Sequence, residues 1–251
     1  MASERSGSVQ SVGRAFEILE QLAAADGVMG LSELAERLQL PVPTVHRLMR
    51  TLVGFGYARQ LPSRQYALGP RLIQLGAVAT KTTGAWAQPI LDGLVRQLGE
   101  TVNLASLESD KMIYVAQAPS PHAMRMFTEV GRRVYCHCTG VGKSVLATLP
   151  EERVRAIIGR VGMPPQTSHS IADVDSLLEE LAAIRRRGYA IDEGEQEVGV
   201  RCFAVAVPNA AVPTALSVSG PAVRVTTEMG TRAIPLLQAA ARQLAAELSG
   251  S

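Results

Sequence analysis

The chain has 251 residues, of which 47% are hydrophobic and 19% charged, with a formal net charge of +2. This length suits about two domains, and the composition supports a packed core, which excludes general disorder. The near-balance of charge excludes a uniformly basic coat, so any charge that meets phosphate must be local. Three cysteines, Cys136, Cys138 and Cys202, are too few and too odd in number for a disulfide framework, which fits a reducing cytoplasm. The polar start MASERSGSVQSVGR lacks the apolar core of a secretory signal, and no run of about 18 apolar residues occurs, so neither export nor a membrane span is expected.

In chain order, Val12, Phe16, Leu19 and Leu22 recur at helical spacing, which predicts a first helix over 11–25, closed by Asp26-Gly27. Ser32 reads as the N-cap of a second helix with Leu34 and Leu38 on its inner stripe. Gln39-Leu40-Pro41-Val42 is a turn, and a third helix runs over about 43–53. At 100° per residue, Val45, Leu48, Met49 and Leu52 share one side of it. His46, Arg47 and Arg50 share the other, with Thr44 and Thr51 at the edge. Gly54 and Gly56 end this helix, and 57–61 and 65–68 form a hairpin about Pro62-Ser63-Arg64. Helix, turn, helix and hairpin together describe a winged helix-turn-helix, whose second helix lies in the DNA major groove.

Charge supports that reading. Between Glu36 and Asp92 no acidic residue occurs, while Arg37, Arg47, Arg50, Arg59, Arg64, Arg71 and Lys81 do. Arg47 and Arg50 can pair with guanine edges or hold phosphates. Thr44 and His46 can donate to phosphate or base, Ser63 and Arg64 sit at the wing tip, and Arg14 can clamp the backbone from the first helix. The plainer alternative for each is a solvated side chain. Gly69-Pro70 then breaks the hairpin, and 71–82 reads as a helix with Leu72, Ile73, Leu75 and Val78 on its apolar side, suited to packing on a second copy of itself. The next helix, 86–98, opens a second domain. The expected divisions are 1–69, a linker over 70–84, and 85–251.

From Thr101 the pattern alternates as strands do: TVNLASLE, KMIYVAQA and MRMFTEV, later GVRCFAVAVPN and PTALSVSG. Helices are expected near 142–149, 150–160, 173–187 and 231–248, which makes a mixed α/β domain. Three features here carry chemistry. Gly140-Val141-Gly142-Lys143-Ser144 resembles the end of a phosphate-binding loop, but that motif needs a glycine where His137 stands. What remains is a glycine turn opening a helix, capped by Thr139, whose amides favour a small anion. Cys136-His137-Cys138 is spaced too closely for the usual zinc pattern and has no second pair, so structural thiols are expected and no metal or cofactor. Alternation puts Val200, Cys202, Ala204 and Ala206 on one strand face, matched by Ala215, Ser217 and Ser219, with bulky Phe203, Val205, Leu216 and Val218 opposite. The small-residue face leaves room for a ligand or for a closely packed helix, and Asp192 is either an acceptor at that pocket or a turn residue.

Five segments in order, LSELAERLQLPVPTVHRLMRTL, GYARQLPSRQYALGPRLIQLG, CHCTGVGKSVLA, RRGYAIDEGEQEVGVRCFAVAV and ALSVSGP, resemble the IclR family of bacterial transcriptional regulators over nearly the whole chain. The resemblance implies a winged helix, a linker helix and a GAF-like effector domain. It also implies a homodimer or dimer of dimers on a palindromic double-stranded operator, acting as a repressor. It implies a small carboxylate held by the amides of Gly140 and Val141 and by Asp192, Cys202, Ser217 and Ser219. Apolar walls would come from Met126, Val134, Val200 and Val223. Those walls are aliphatic, which favours a small oxo-acid such as glyoxylate or a ureide-derived acid, with an aromatic acid as the alternative. A different class of function, an enzyme using Cys202 as nucleophile, lacks an evident base among His122, His137 and His169.

Overall fold

A computed structural model describes residues 9–25, 27–125 and 128–249. The chain divides into two compact units between Ala79 and Thr80. The first contains α1 (Gln10–Ala24), β1 (Val28–Met29), α2 (Leu31–Arg37), α3 (Val42–Gly54), β2 (Ala58–Gln60) and β3 (Tyr66–Leu68). The division falls inside α4 (Arg71–Thr83). Ile18 and Leu22 of α1, Leu34 of α2, and Val45 and Met49 of α3 meet over Met29 and Tyr66 in one apolar cluster. The three strands form an antiparallel sheet in the order β1-β3-β2.

Two expectations change here. Val12 and Phe16 are 52% and 63% exposed, because α1 turns Ile18 and Leu22 inward instead. The spacing was helical, but its phase was set by the core. Ser32 does not cap α2, which starts one residue earlier behind Gly30, with no side-chain cap bond. Pairing of Met29 with Tyr66 delivers the chain to the helix already extended. The closing role of Asp26 lies outside the described residues.

The second unit opens with a 3-10 turn (Ala85–Ala87) and α5 (Gln88–Leu98). Next come β4 (Thr101–Glu108), β5 (Lys111–Ala118), β6 (Arg133–Val134), α6 (Gly140–Leu146), α7 (Glu151–Val161) and α8 (Val174–Arg187). The last elements are β7 (Ala190–Glu193), β8 (Val200–Ala206), β9 (Thr214–Pro221) and α9 (Thr227–Ser249). One six-stranded sheet, in the order β6-β5-β4-β9-β8-β7, pairs antiparallel throughout. Its bulky face, with Phe203, Val205, Leu216 and Val218, packs on Leu91 and Leu94 of α5 and Leu237 and Leu244 of α9. The small face, with Cys202, Ala204 and Ala215, packs on Val141 and Val145 of α6, backed by Leu181 of α8. Alternation along β8 and β9 thus produces a three-layer α/β/α unit.

The segment MRMFTEV is not a strand where it is described. Ladder pairing on the edge of β5 begins only after Gly131, at φ +93°, whose amide donates to Tyr114 O at 2.7 Å. The Tyr114 amide donates to Arg132 O, and β6 follows at Arg133–Val134. The positive φ of Gly131 turns the chain alongside β5, and the ladder follows it.

Candidate DNA-reading surface and effector cavity

In the first unit α3 separates its two functions by face. Val45 and Met49 are fully buried, while His46, Arg47 and Arg50 are exposed and Thr44 is half-buried. Thr51 Oγ1 donates back to Arg47 O at 3.2 Å, a bond within the helix that leaves the guanidinium outward. Arg47, Arg50, Thr51, Gly54 and Phe55 line a surface groove. Among the described residues no ion pair engages Arg47, Arg50 or Arg64, so their charge faces water. The wing turns through Arg64 N to Leu61 O at 2.9 Å with Pro62 second in the turn. Arg64 then takes φ +64°, the left-handed geometry that closes a three-residue hairpin loop. Gln60 and Gln65 brace this tip through Arg64 O and Ser63 Oγ. Ser63 and Arg64 are exposed there, and Arg14 is half-buried on α1.

In the second unit, a cavity of about 20 Å³ lies between α6 and the small face of the sheet. Its lining comes from Tyr114 on β5, Thr139, Gly140 and Val141 at the start of α6, Asp192 on β7, Gln196, Val200 and Cys202 on β8, and Ser217 and Ser219 on β9. Such a volume holds about one water molecule. The glycines are there for proximity: a Cβ on Gly140 would lie 2.9 Å from Cys202 Sγ, and one on Gly142 would lie 2.4 Å from the Cys136 backbone. Thr139 caps the helix, its Oγ1 accepting from Gly142 N at 3.2 Å and donating to Tyr135 O at 2.8 Å. The amides of Gly140 and Val141 belong to the first turn, where no helical acceptor is available.

Asp192, 4% exposed, is held by the chain that follows it: its Oδ1 accepts from Glu195 N at 2.7 Å and Gln196 N at 3.4 Å. Burial pushes its carboxyl up to about 7, against the pull of those amides, with the nearby Glu195 charge adding to the rise. Behind the cavity Lys143, 1% exposed, pairs with Glu195 and lies 3.8 Å from Glu180, which in turn pairs with Arg187 at 2.7 Å. Burial raises the Glu195 carboxyl, Lys143 opposes the rise, and Glu195 Oε2 has no partner among the described residues. Lys143, which in a phosphate-binding loop would face a nucleotide, here neutralises an internal carboxylate. Burial, and then the Asp192 charge, holds the Cys202 thiol far above its ordinary range. Cys138, pushed up to about 12, donates to Gln196 Oε1. Cys136, likewise pushed up to about 12 by burial, donates to Asp110 O. Among the described residues no cluster of three His, Cys, Asp or Glu forms a metal cage.

Of the anticipated effector contacts, Gly140, Val141, Asp192, Val200, Cys202, Ser217 and Ser219 come together at this cavity. Val134 lies in the core behind it with Met112 and Val145. Val223 is 84% exposed in the turn after β9, so neither lines the cavity. Met126 lies outside the described residues. Tyr114, Gln196 and the capping Thr139 are additional lining residues. Tyr114 gives the cavity an aromatic wall, where aliphatic walls alone were expected.

Two family models span these two units: the IclR helix-turn-helix domain matches residues 11–62, and the bacterial transcriptional regulator IclR C-terminal model matches residues 78–246. The chain belongs to the IclR family. It is 33% identical to the transcriptional repressor IclR of Escherichia coli, covering 97% of this chain and 92% of that one. Among solved structures it resembles a putative IclR regulator from Silicibacter, with TM-score 0.83, 28% identity and coverage of 96% and 97% of the two chains. It also shares the fold of an IclR homolog from Microbacterium hydrocarbonoxydans solved with 4-hydroxybenzoate, with TM-score 0.75, 23% identity and coverage of 96% and 100%. This IclR-family chain is therefore a DNA-binding transcriptional regulator, and no helix among its described residues is long and apolar enough to cross a membrane.

Proposed function

We propose that the second unit binds a small carboxylate at the α6 cavity and that this binding sets the DNA affinity of the first. The observation that carries the reading is convergence: helix-start amides at Gly140 and Val141 and the hydroxyls of Ser217 and Ser219 meet in one cavity. Donors of this kind suit an anion. A small oxo-acid such as glyoxylate demands the least widening of so small a cavity. An aromatic acid is the second reading, supported by Tyr114 in the wall and by the 4-hydroxybenzoate bound to the Microbacterium homolog. A cysteine nucleophile is disfavoured, because the Cys202 thiol stays protonated and none of the ten lining residues is a histidine.

The DNA partner is a palindromic operator read by α3, with Arg64 on the adjacent backbone or minor groove. A palindrome calls for a two-fold assembly. The apolar residues Ile73 and Leu75 of α4, 75% and 49% exposed, supply a surface for one, giving a homodimer or dimer of dimers. Repression is the sign of regulation we assign, since it is that of the Escherichia coli relative. Ligand then acts by preferring one of two arrangements of the regulator.

The test is a thermal-shift screen of glyoxylate, pyruvate and 4-hydroxybenzoate, followed by operator titration with each hit. A rise in melting temperature with one acid, together with a change in operator affinity, is the expected result. Stabilisation without any change in operator affinity would sever the two halves of the proposal.

A further inference from the structure

Asn103 is 1% exposed in the middle of β4 and is not one of the ten residues lining the cavity. Strand register explains its place. It stands opposite Ser217 on β9 and opposite Gln117 on β5, while Thr101, two residues away, stands opposite Ser219. Ser219 is in turn opposite Cys202 on β8. Paired positions share a sheet face. Gln117, Asn103, Ser217, Ser219 and Cys202 therefore form a row of polar side chains across four adjacent strands, on the face that meets α6.

The bonds along this row have a direction. Gln117 Nε2 donates to Asn103 Oδ1 at 3.1 Å, and Asn103 Nδ2 donates to Ser219 Oγ at 3.1 Å. The strand at Gln117 is held from the other side of the sheet, its backbone carbonyl accepting from Gln88 Nε2 of α5 at 3.2 Å. An amide side chain has one accepting and one donating end. With its accepting end on Gln117, Asn103 can present only a donor to Ser219. A serine hydroxyl has one proton and two lone pairs. Once a lone pair is engaged by Asn103, the proton is left for an acceptor elsewhere, and Ser219 lines the cavity.

We infer that Asn103 is a positioning residue, which fixes the Ser219 hydroxyl as a hydrogen-bond donor into the effector cavity and so favours a carboxylate, which accepts at both oxygens, over a carboxamide, which accepts at only one. The inference rests on the carboxylate reading of the cavity. Asn103 itself touches no ligand; it determines what Ser219 can offer one.

A double-mutant cycle tests it. The probe is whichever of glyoxylate, pyruvate and 4-hydroxybenzoate binds the full-length chain most tightly, titrated by calorimetry alongside its carboxamide. Ser219→Ala and Asn103→Leu are each expected to weaken the acid about tenfold, as loss of a hydrogen bond to a charged group does. Asn103→Leu should also narrow the preference for acid over amide. In the Ser219→Ala background it should change the acid affinity by less than about twofold, because the residue through which it acts is gone. Equal losses in both backgrounds, or no loss from Asn103→Leu, would overturn the inference. Should Asn103→Leu fail to fold by circular dichroism, Gln117→Leu, at a half-buried position, replaces it, with about a threefold loss that again vanishes without Ser219. A harmless Ser219→Ala would sink the inference while leaving the cavity to its other donors. If none of the three acids binds, the carboxylate reading falls and takes the inference with it.

Discussion

The two short helices to which recognition is assigned in the proposal, α3 and α6, are built on opposite terms. In α3 only one stripe, Val45, Met49 and Leu52, is buried, and the arginines face water. In α6 every residue from Gly140 to Leu146 is buried, Lys143 included. The outward helix keeps its charges solvated until DNA arrives, so its functional residues cost the fold little. The inward helix must satisfy each polar group inside the protein, so its surroundings serve fold and function at once. Changes on α3 should therefore damage binding alone, whereas changes around α6 should damage stability as well.

The largest effect is expected from Lys143→Met. It leaves Glu195 buried without its cation, and loss of one partner of a buried pair costs about 3–5 kcal/mol. Urea unfolding followed by the fluorescence of Trp86, the single tryptophan, reports on this unit. A midpoint close to wild type would mean that the pair contributes nothing and that the contrast between the helices is false. Next in size, Arg50→Ala should weaken operator binding by about 1–3 kcal/mol and shift unfolding by less than about 0.5 kcal/mol. Fluorescence anisotropy on operator DNA checks the first value and the same urea curve checks the second. Unchanged DNA affinity would remove Arg50 from the reading face.

A third, smaller effect is set by pH. The Asp192 carboxyl is raised to about 7, so it is neutral below that value and becomes an anion above it. A bound carboxylate is repelled only by the ionised form. Its affinity should hold below pH 7 and fall by at most about tenfold per unit above it, and Asp192→Asn should flatten the profile. Titrations between pH 6 and 8.5, about one to two units around that value, measure this; a wild-type profile that rises with pH reverses the assignment. The smallest effect is expected from Val223→Ser at an 84% exposed position, with stability and acid affinity both within about 0.5 kcal/mol of wild type. A clear loss of acid affinity would bring that turn back to the cavity.

Local pattern carried much of this architecture. The alternation of bulky and small residues along β8 and β9 gives both faces of the sheet, and the 3.6-residue period gives the inner and outer sides of α3. Period alone does not give phase, and so Val12 and Phe16 of α1 fall on the exposed side, although Ile18 and Leu22 obey the same spacing. Nor does local pattern give partners distant in sequence. Tyr114, Gln196 and Asn103 reach the cavity or its wall through the β4–β5 and β4–β9 registers and through the turn after β7. Lys143 and Glu195 are brought together by tertiary packing alone. Motif resemblance identified the glycine turn but not its purpose, which is close approach of α6 to Cys136 and Cys202.

The cavity's dimensions have a mechanical consequence. Even the smallest carboxylic acid has more bulk than the single water that about 20 Å³ accommodates. A guest of that size is admitted only if walls move apart, and the walls are the first turn of a wholly buried helix, the strand carrying Asp192, and the turn leading from it to Val200. Close-packed interiors yield by rearranging, not by compressing. On the proposed reading, occupancy would be converted into displacement, with α6, seated between the sheet and α8, as the element that moves.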